Sequence, residues 1–168
     1  EHIPRRQITL DDWVKSGSQG SRKAVFEKGD VLFGKIRPYF HKVSVAPVDG
    51  ICSTDAIVIR PHASYWGQAV FTASSAEFVA YATQTSNGTK MPRADWKVLG
   101  KWPLAVPSAQ LAESFSDVAR RHLALAETLM FENRRLATMR DLLLPKLVTG
   151  QINVSQLDLD AIVGEVAS

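Results

Sequence analysis

The chain has 168 residues, 45% of them apolar and 22% charged, and carries a net charge of +3. That length suits one domain, or one domain with a helical appendage, and the apolar content supports a packed core rather than a disordered chain. No run of eighteen apolar residues exists to cross a bilayer. The single Cys52 excludes an internal disulfide and fits a reducing compartment, most simply the cytoplasm.

Charge is unevenly placed. Residues 1–101 hold 14 Lys/Arg against 9 Asp/Glu, whereas residues 102–168 hold 6 against 8. A basic head on a neutral-to-acidic stalk points to an anionic partner for the head, nucleic acid being the commonest.

In chain order, residues 1–26 are mixed, and Gly17-Ser18-Gln19-Gly20-Ser21 reads as a loop. From Val25 the pattern becomes strand-like. Asp30–Ile36 and His41–Ala46 are candidate strands, separated by Arg37-Pro38-Tyr39-Phe40, where proline sets a turn or an edge. Pro47-Val48-Asp49-Gly50 is a second turn, leading into Ile51–Arg60, whose Ala56-Ile57-Val58-Ile59 run reads as a buried strand. Such close succession predicts a small antiparallel or mixed sheet.

Residues 64–85 change period. Trp66, Val70 and Phe71 suggest a first helix, and Ser74-Ser75-Ala76-Glu77 is a capping-box pattern opening a second. That helix ends at Ser86-Asn87-Gly88, residues that tolerate positive φ. Thr89–Lys97 is a polar, basic loop, and Trp102–Val106 is expected to form a short closing strand.

From Ser108 onwards one pattern dominates. Leu111, Phe115, Val118, His122, Leu125, Leu129, Glu132, Leu136, Met139, Leu143 and Leu147 recur mostly in alternating steps of four and three, and nine of the eleven are apolar. This heptad-like seam predicts a long amphipathic helix of roughly 55 Å, begun by Ser108 and stopped by Pro145 and Gly150. A helix so long needs a partner helix for its seam; the plainer alternative is a core helix of one compact domain. The expected class is therefore α+β: a head of residues 1–107, a coiled-coil-like helix over 108–150, and a tail of 151–168.

Catalytic and metal constellations are absent from the pattern. His2, His41, His62 and His122 are scattered, Gly34-Lys35 lacks the upstream glycine of a phosphate-binding loop, and no Gly-x-Gly-x-x-Gly turn occurs. Asp49 and Asp55 are close enough in sequence to meet, but read better as turn and capping residues. No cofactor is expected. Two basic clusters carry more information. Lys35, Arg37, Tyr39, His41 and Lys42 crowd one hairpin-like segment, and Asn87, Thr89, Lys90 and Arg93 crowd one loop. Arg and Lys reach phosphates or guanine edges, and Asn pairs with adenine. A solvated edge strand with protective lysines, beside a polar turn, is the other reading.

Glu27-Lys-Gly-Asp-Val-Leu-Phe-Gly-Lys-Ile-Arg-Pro-Tyr-Phe-His-Lys-Val, running on to Asp49-Gly-Ile-Cys-Ser-Thr-Asp55, resembles the specificity subunit of type I restriction–modification systems. So do Asn87-Gly-Thr-Lys-Met-Pro-Arg93 and the stretch from Asn133-Arg-Arg-Leu to Arg140-Asp-Leu-Leu-Leu-Pro-Lys-Leu-Val-Thr-Gly150. The three blocks fall in the family's order and span most of the chain. The resemblance implies a DNA target recognition domain followed by a conserved spacer helix, with no chemistry of its own. Its implied partners are double-stranded DNA, methyltransferase subunits and a restriction subunit. The family pattern has two recognition domains joined by antiparallel helices. This chain has one of each, with its first strand expected to be cut short at Glu1, which implies a half-subunit. A homodimer, or pairing with a second half-subunit through Leu111, Phe115, Val118, His122, Leu125, Leu129, Leu136, Met139 and Leu143, would then space two heads along DNA. The rival classes are a coiled-coil adaptor whose head binds protein, and an enzyme in its own right.

Overall fold

The computed structural model describes residues 2–14 and 22–152. The Gly17–Ser21 loop and all of the tail from 153 lie outside the described residues. The chain divides into two compact units, Glu1–Thr128 and Leu129–Ser168. The class is α+β with a long helix.

Its strands are β1 (Lys23–Phe26), β2 (Val31–Gly34), β3 (Val43–Val45), β4 (Gly50–Ser53) and β5 (Ala56–Ile59). Its helices are α1 (Trp66–Ala73), α2 (Ala76–Gln84), α3 (Trp96–Leu99) and α4 (Ala109–Val148). β2 is the centre of an antiparallel sheet ordered β3-β2-β5, with Val31 between Val45 and Ile59 and Phe33 between Val43 and Ile57. β1 and β4 form a separate antiparallel ribbon.

Side chains alternate across a strand, so the two faces of β2 serve two cores. Val31 and Phe33 pack with Trp66, Val70, Phe78 and Leu99, whereas Leu32 packs with Leu10, Phe26 and Ala46. This is why β2 reads as an unbroken apolar run. The stretch expected to be buried, Ala56–Ile59, is instead an edge strand, half-buried at all four positions.

The helix boundaries follow local chemistry. Ser75, the second serine of the capping pattern, accepts the N–H of Phe78 at 3.1 Å, and Glu77 sits favourably in the positive first turn of α2. Gly88, at φ +98°, makes the turn that follows. Asp95 caps α3, a single turn that begins inside the expected loop and runs past its end. The closing strand expected at Trp102–Val106 does not form. Pro103 and Pro107 remove amides that a ladder needs, and the segment is held instead by Gln68 Nε2 donating to the Ala105 carbonyl at 2.6 Å.

Within the first unit, α4 docks on α1 through a stripe of small residues. Ala112, Ser116 and Ala119 are buried, at spacings that share one helix face. Gly67 permits the close approach: a Cβ there would lie 3.0 Å from Ser116 Cα and 3.1 Å from Ala119 Cβ. The fully buried Ser116 hydroxyl accepts the Gly67 N–H at 2.9 Å and donates to the Ser64 carbonyl at 2.8 Å. Phe71 and Phe115 pack with ring centres 5.6 Å apart, and the Arg120 guanidinium lies 5.3 Å from the Trp66 ring centre.

In the second unit α4 continues through Pro145, which was expected to help stop it, and ends at Val148. The Pro145 carbonyl still accepts the Thr149 N–H and hydroxyl, so one missing amide costs the helix a bond without ending it. Gly150, at φ +71°, makes the turn that stops it. No described helix is long and apolar enough to cross a membrane.

One ion pair braces the sheet. Arg60 Nε donates to Asp30 Oδ1 at 2.9 Å and its Nη2 to Oδ2 at 2.7 Å, while Nη1 reaches Glu27 at 2.8 Å. The Arg60 guanidinium, aided by the Glu27 N–H, outweighs burial and holds the Asp30 carboxyl below the usual carboxylate range.

Candidate nucleic-acid interface

The two basic clusters, far apart in sequence, meet through main-chain bonds. Past the end of β2, the Lys35 N–H donates to the Asp55 carbonyl at 2.8 Å and the Lys35 carbonyl accepts the Ala94 N–H at 2.9 Å. The Arg37 N–H donates to the Pro92 carbonyl at 2.7 Å, and Ile36 pairs antiparallel with Arg93. Asn87 and Arg93 exchange N–H···O bonds of 3.0 and 2.8 Å, closing a loop whose tip exposes Thr89, Lys90 and Met91. Lys35, Arg37, Asn87, Thr89, Lys90 and Arg93 therefore belong to one continuous surface.

The turn after Ile36 is tightly determined. Arg37 (φ 50°) and His41 (φ 52°) flank a 3-10 turn at Pro38–Phe40, both in the left-handed region. The only other described non-glycine residue with positive φ is Arg6, whose N–H donates to the His41 carbonyl at 2.8 Å. Each such residue costs on the order of 1 kcal/mol or more, and all three converge on this corner. Tyr39 is exposed and stands edge-on to Phe40, with ring centres 4.8 Å apart.

The remaining expected residues are placed differently. The His41 ring is bonded to the Ser74 carbonyl at 2.8 Å, which braces the turn against the end of α1. Lys42 lies across Gly34, where an added Cβ would come within 2.8 Å of the Lys42 Cβ. Its side chain lines a groove of about 900 Å³ with Arg37, Phe40 and Met91 on an apolar floor that includes Leu32 and Phe26.

Positive charge on this surface is largely uncompensated. Arg93 approaches Asp55 at 3.5 Å, with both side chains about half exposed. Among the described residues Lys35, Arg37, Lys42 and Lys90 form no ion pair. Arg37 Nε is buried with no acceptor, and its Nη2 makes only a long 3.4 Å bond to the Lys90 carbonyl. Buried donors are normally satisfied, so this orphaned donor is a cost that the tight corner carries.

The other polar groups are structural. Asp49 accepts the Lys28 N–H at 2.7 Å, and Asp55 faces Ser53 in the β4–β5 turn. His2 bonds Asp12, His62 caps a short 3-10 turn, and His122 bonds the Val118 carbonyl. Burial pushes the Cys52 thiol up, away from its nucleophilic form. No described cluster of three His, Cys, Asp or Glu could hold a metal. The arrangement is suited to holding an anion.

The expected helix-pairing residues remain largely exposed, although Phe115 packs on Phe71 of α1. Leu111, Phe115, Val118, Leu125, Leu129, Leu136, Met139 and Leu143 are 43–62% exposed, and His122 is exposed as well. The face that docks on the head, Ala112–Ser116–Ala119, is a different one, which a search for large apolar residues misses. Sequence reasoning also missed Arg5, whose guanidinium carbon lies 3.8 Å from the Phe40 ring centre. The adjacent Arg5-Arg6 pair was its only signal.

No family model matches the chain. The type I restriction enzyme EcoDI specificity subunit of Escherichia coli is 31% identical to it over 143 residues, covering 81% of this chain. The chain spans 30% of that relative's length.

Proposed function

Because the chain is a relative of the type I restriction enzyme specificity subunits, we propose that its head is a sequence-reading DNA module without chemistry of its own. It would guide methyltransferase and restriction subunits to a bipartite target in the cytoplasm. The observation that supports this most directly is the stitching of residues 35–37 to the 87–93 loop, which merges two cationic clusters into one surface. Phosphates draw on such charge whatever the sequence, while exposed Asn87, Arg93 and Thr89 offer donors and acceptors to base edges. In the same proposal the exposed seam of α4 pairs with a second copy or a second half-subunit, so that two heads read two half-sites.

The test is affinity for duplex DNA across a salt series. Alanine at Arg37, Lys90 and Arg93 together should weaken binding and lower the log–log salt slope by about 2 to 3, near 0.9 for each phosphate that is no longer neutralised. Unchanged affinity in the triple variant refutes the placement. A flat salt dependence of the unaltered chain would favour an adaptor whose head binds protein.

A further inference from the structure

We infer that Arg5 and Arg37 form a phosphate clamp built on the ring of Phe40. This rests on the DNA reading above and extends it to the N-terminal segment. That segment is fixed along β3: the Arg6 N–H donates to the His41 carbonyl at 2.8 Å, and the Val45 N–H to the Ile8 carbonyl at 2.8 Å. The Ser44 hydroxyl donates to the Gln7 carbonyl at 3.0 Å, and Thr9 bridges Val45 in parallel. These bonds set Arg5 beside the strained Arg37–His41 turn.

Both guanidiniums use the same ring. The Arg5 carbon lies 3.8 Å and the Arg37 carbon 5.9 Å from the Phe40 ring centre. Contact with a ring engages the face of a guanidinium and leaves its edge to donate. Arg5 is exposed, and on Arg37 the edge available is that of the Nη groups, of which Nη2 makes only the long 3.4 Å bond to the Lys90 carbonyl. Neither arginine forms an ion pair among the described residues. Two like charges beside one ring repel unless an anion joins them. Planar, paired N–H donors match phosphate oxygens, and a phosphodiester offers these at any sequence. The clamp positions DNA, and base reading falls to the neighbouring 87–93 loop.

The experiment measures binding of the purified chain to a labelled duplex of random sequence, by anisotropy, over a salt series. Arg5→Ala should weaken binding several-fold at low salt and lower the slope by about 0.9. Phe40→Leu keeps both charges but removes the platform. On that background Arg5→Ala should cost less than it does in the unaltered chain. Thermal melts of each variant separate a binding loss from unfolding, and Arg5→Gln supplies a second variant of similar shape. If the unaltered chain binds with a salt-dependent affinity and Arg5→Ala matches it, the clamp is wrong and the DNA reading stands. If the unaltered chain does not bind duplex DNA, both fail. A loss confined to particular duplex sequences would make Arg5 a base reader and overturn the clamp.

Discussion

Replacing Ser116 with alanine tests how α4 is joined to the head. Its hydroxyl is fully buried, accepting the Gly67 N–H and donating to the Ser64 carbonyl. Gly67 is in the first turn of α1, where backbone amides have no partner within the helix. Alanine leaves that buried amide unsatisfied at about 1–3 kcal/mol. The half-buried Ser64 carbonyl recovers part of its loss from water, and alanine returns about 0.5 kcal/mol of helix propensity. The net expectation is a destabilisation of about 1–2 kcal/mol. With a urea slope near 2 kcal/mol/M, the unfolding midpoint falls by about 0.5–1 M. Ser114→Ala is the control, because its hydroxyl merely bonds the Gln110 carbonyl on an exposed turn. That variant should match or slightly exceed the unaltered chain. Coincident midpoints for the two variants would refute the argument that this one hydroxyl secures the contact.

Asp30→Asn should destabilise the head chiefly at neutral pH. The folded carboxyl titrates below its ordinary value of about 3.9, so its contribution is present above that pH and is lost as pH falls through the lower folded value. Urea midpoints of variant and parent, measured from pH 7 to pH 2, should therefore converge at the acid end; a gap that widens there contradicts the Arg60 pairing. Introducing charge with Leu125→Glu and Leu136→Glu together, both positions exposed on α4, should abolish any dimer seen by light scattering. A dimer that survives it removes the helix-pairing model.

The central sheet was legible because Val31-Leu32-Phe33 is an apolar run and Val43-Ser44-Val45 alternates, both between clear turn signals. β1 and β4 were harder, since Lys23–Phe26 and Gly50–Ser53 each bury little and depend on pairing with one another. The long helix was legible from its seam. Its docking face was not, because Ala112, Ser116 and Ala119 act by being small, and only the placement of Gly67 opposite them explains why. Both basic clusters could be picked out in the sequence. Their union could not, since it depends on the Ile36–Arg93 bridge and the Arg37–Pro92 bond, long-range contacts without a local pattern. His41 shows the reverse case: a titratable residue inside a basic cluster whose ring is bonded to the Ser74 carbonyl.

The most direct measurement is a selection from randomised duplexes with this chain reconstituted with its methyltransferase subunits. The expected result is recovery of one short motif, repeated in inverted orientation at a fixed spacing, as two heads on paired helices require. No enrichment from a demonstrably assembled complex would contradict the claim that this head reads DNA.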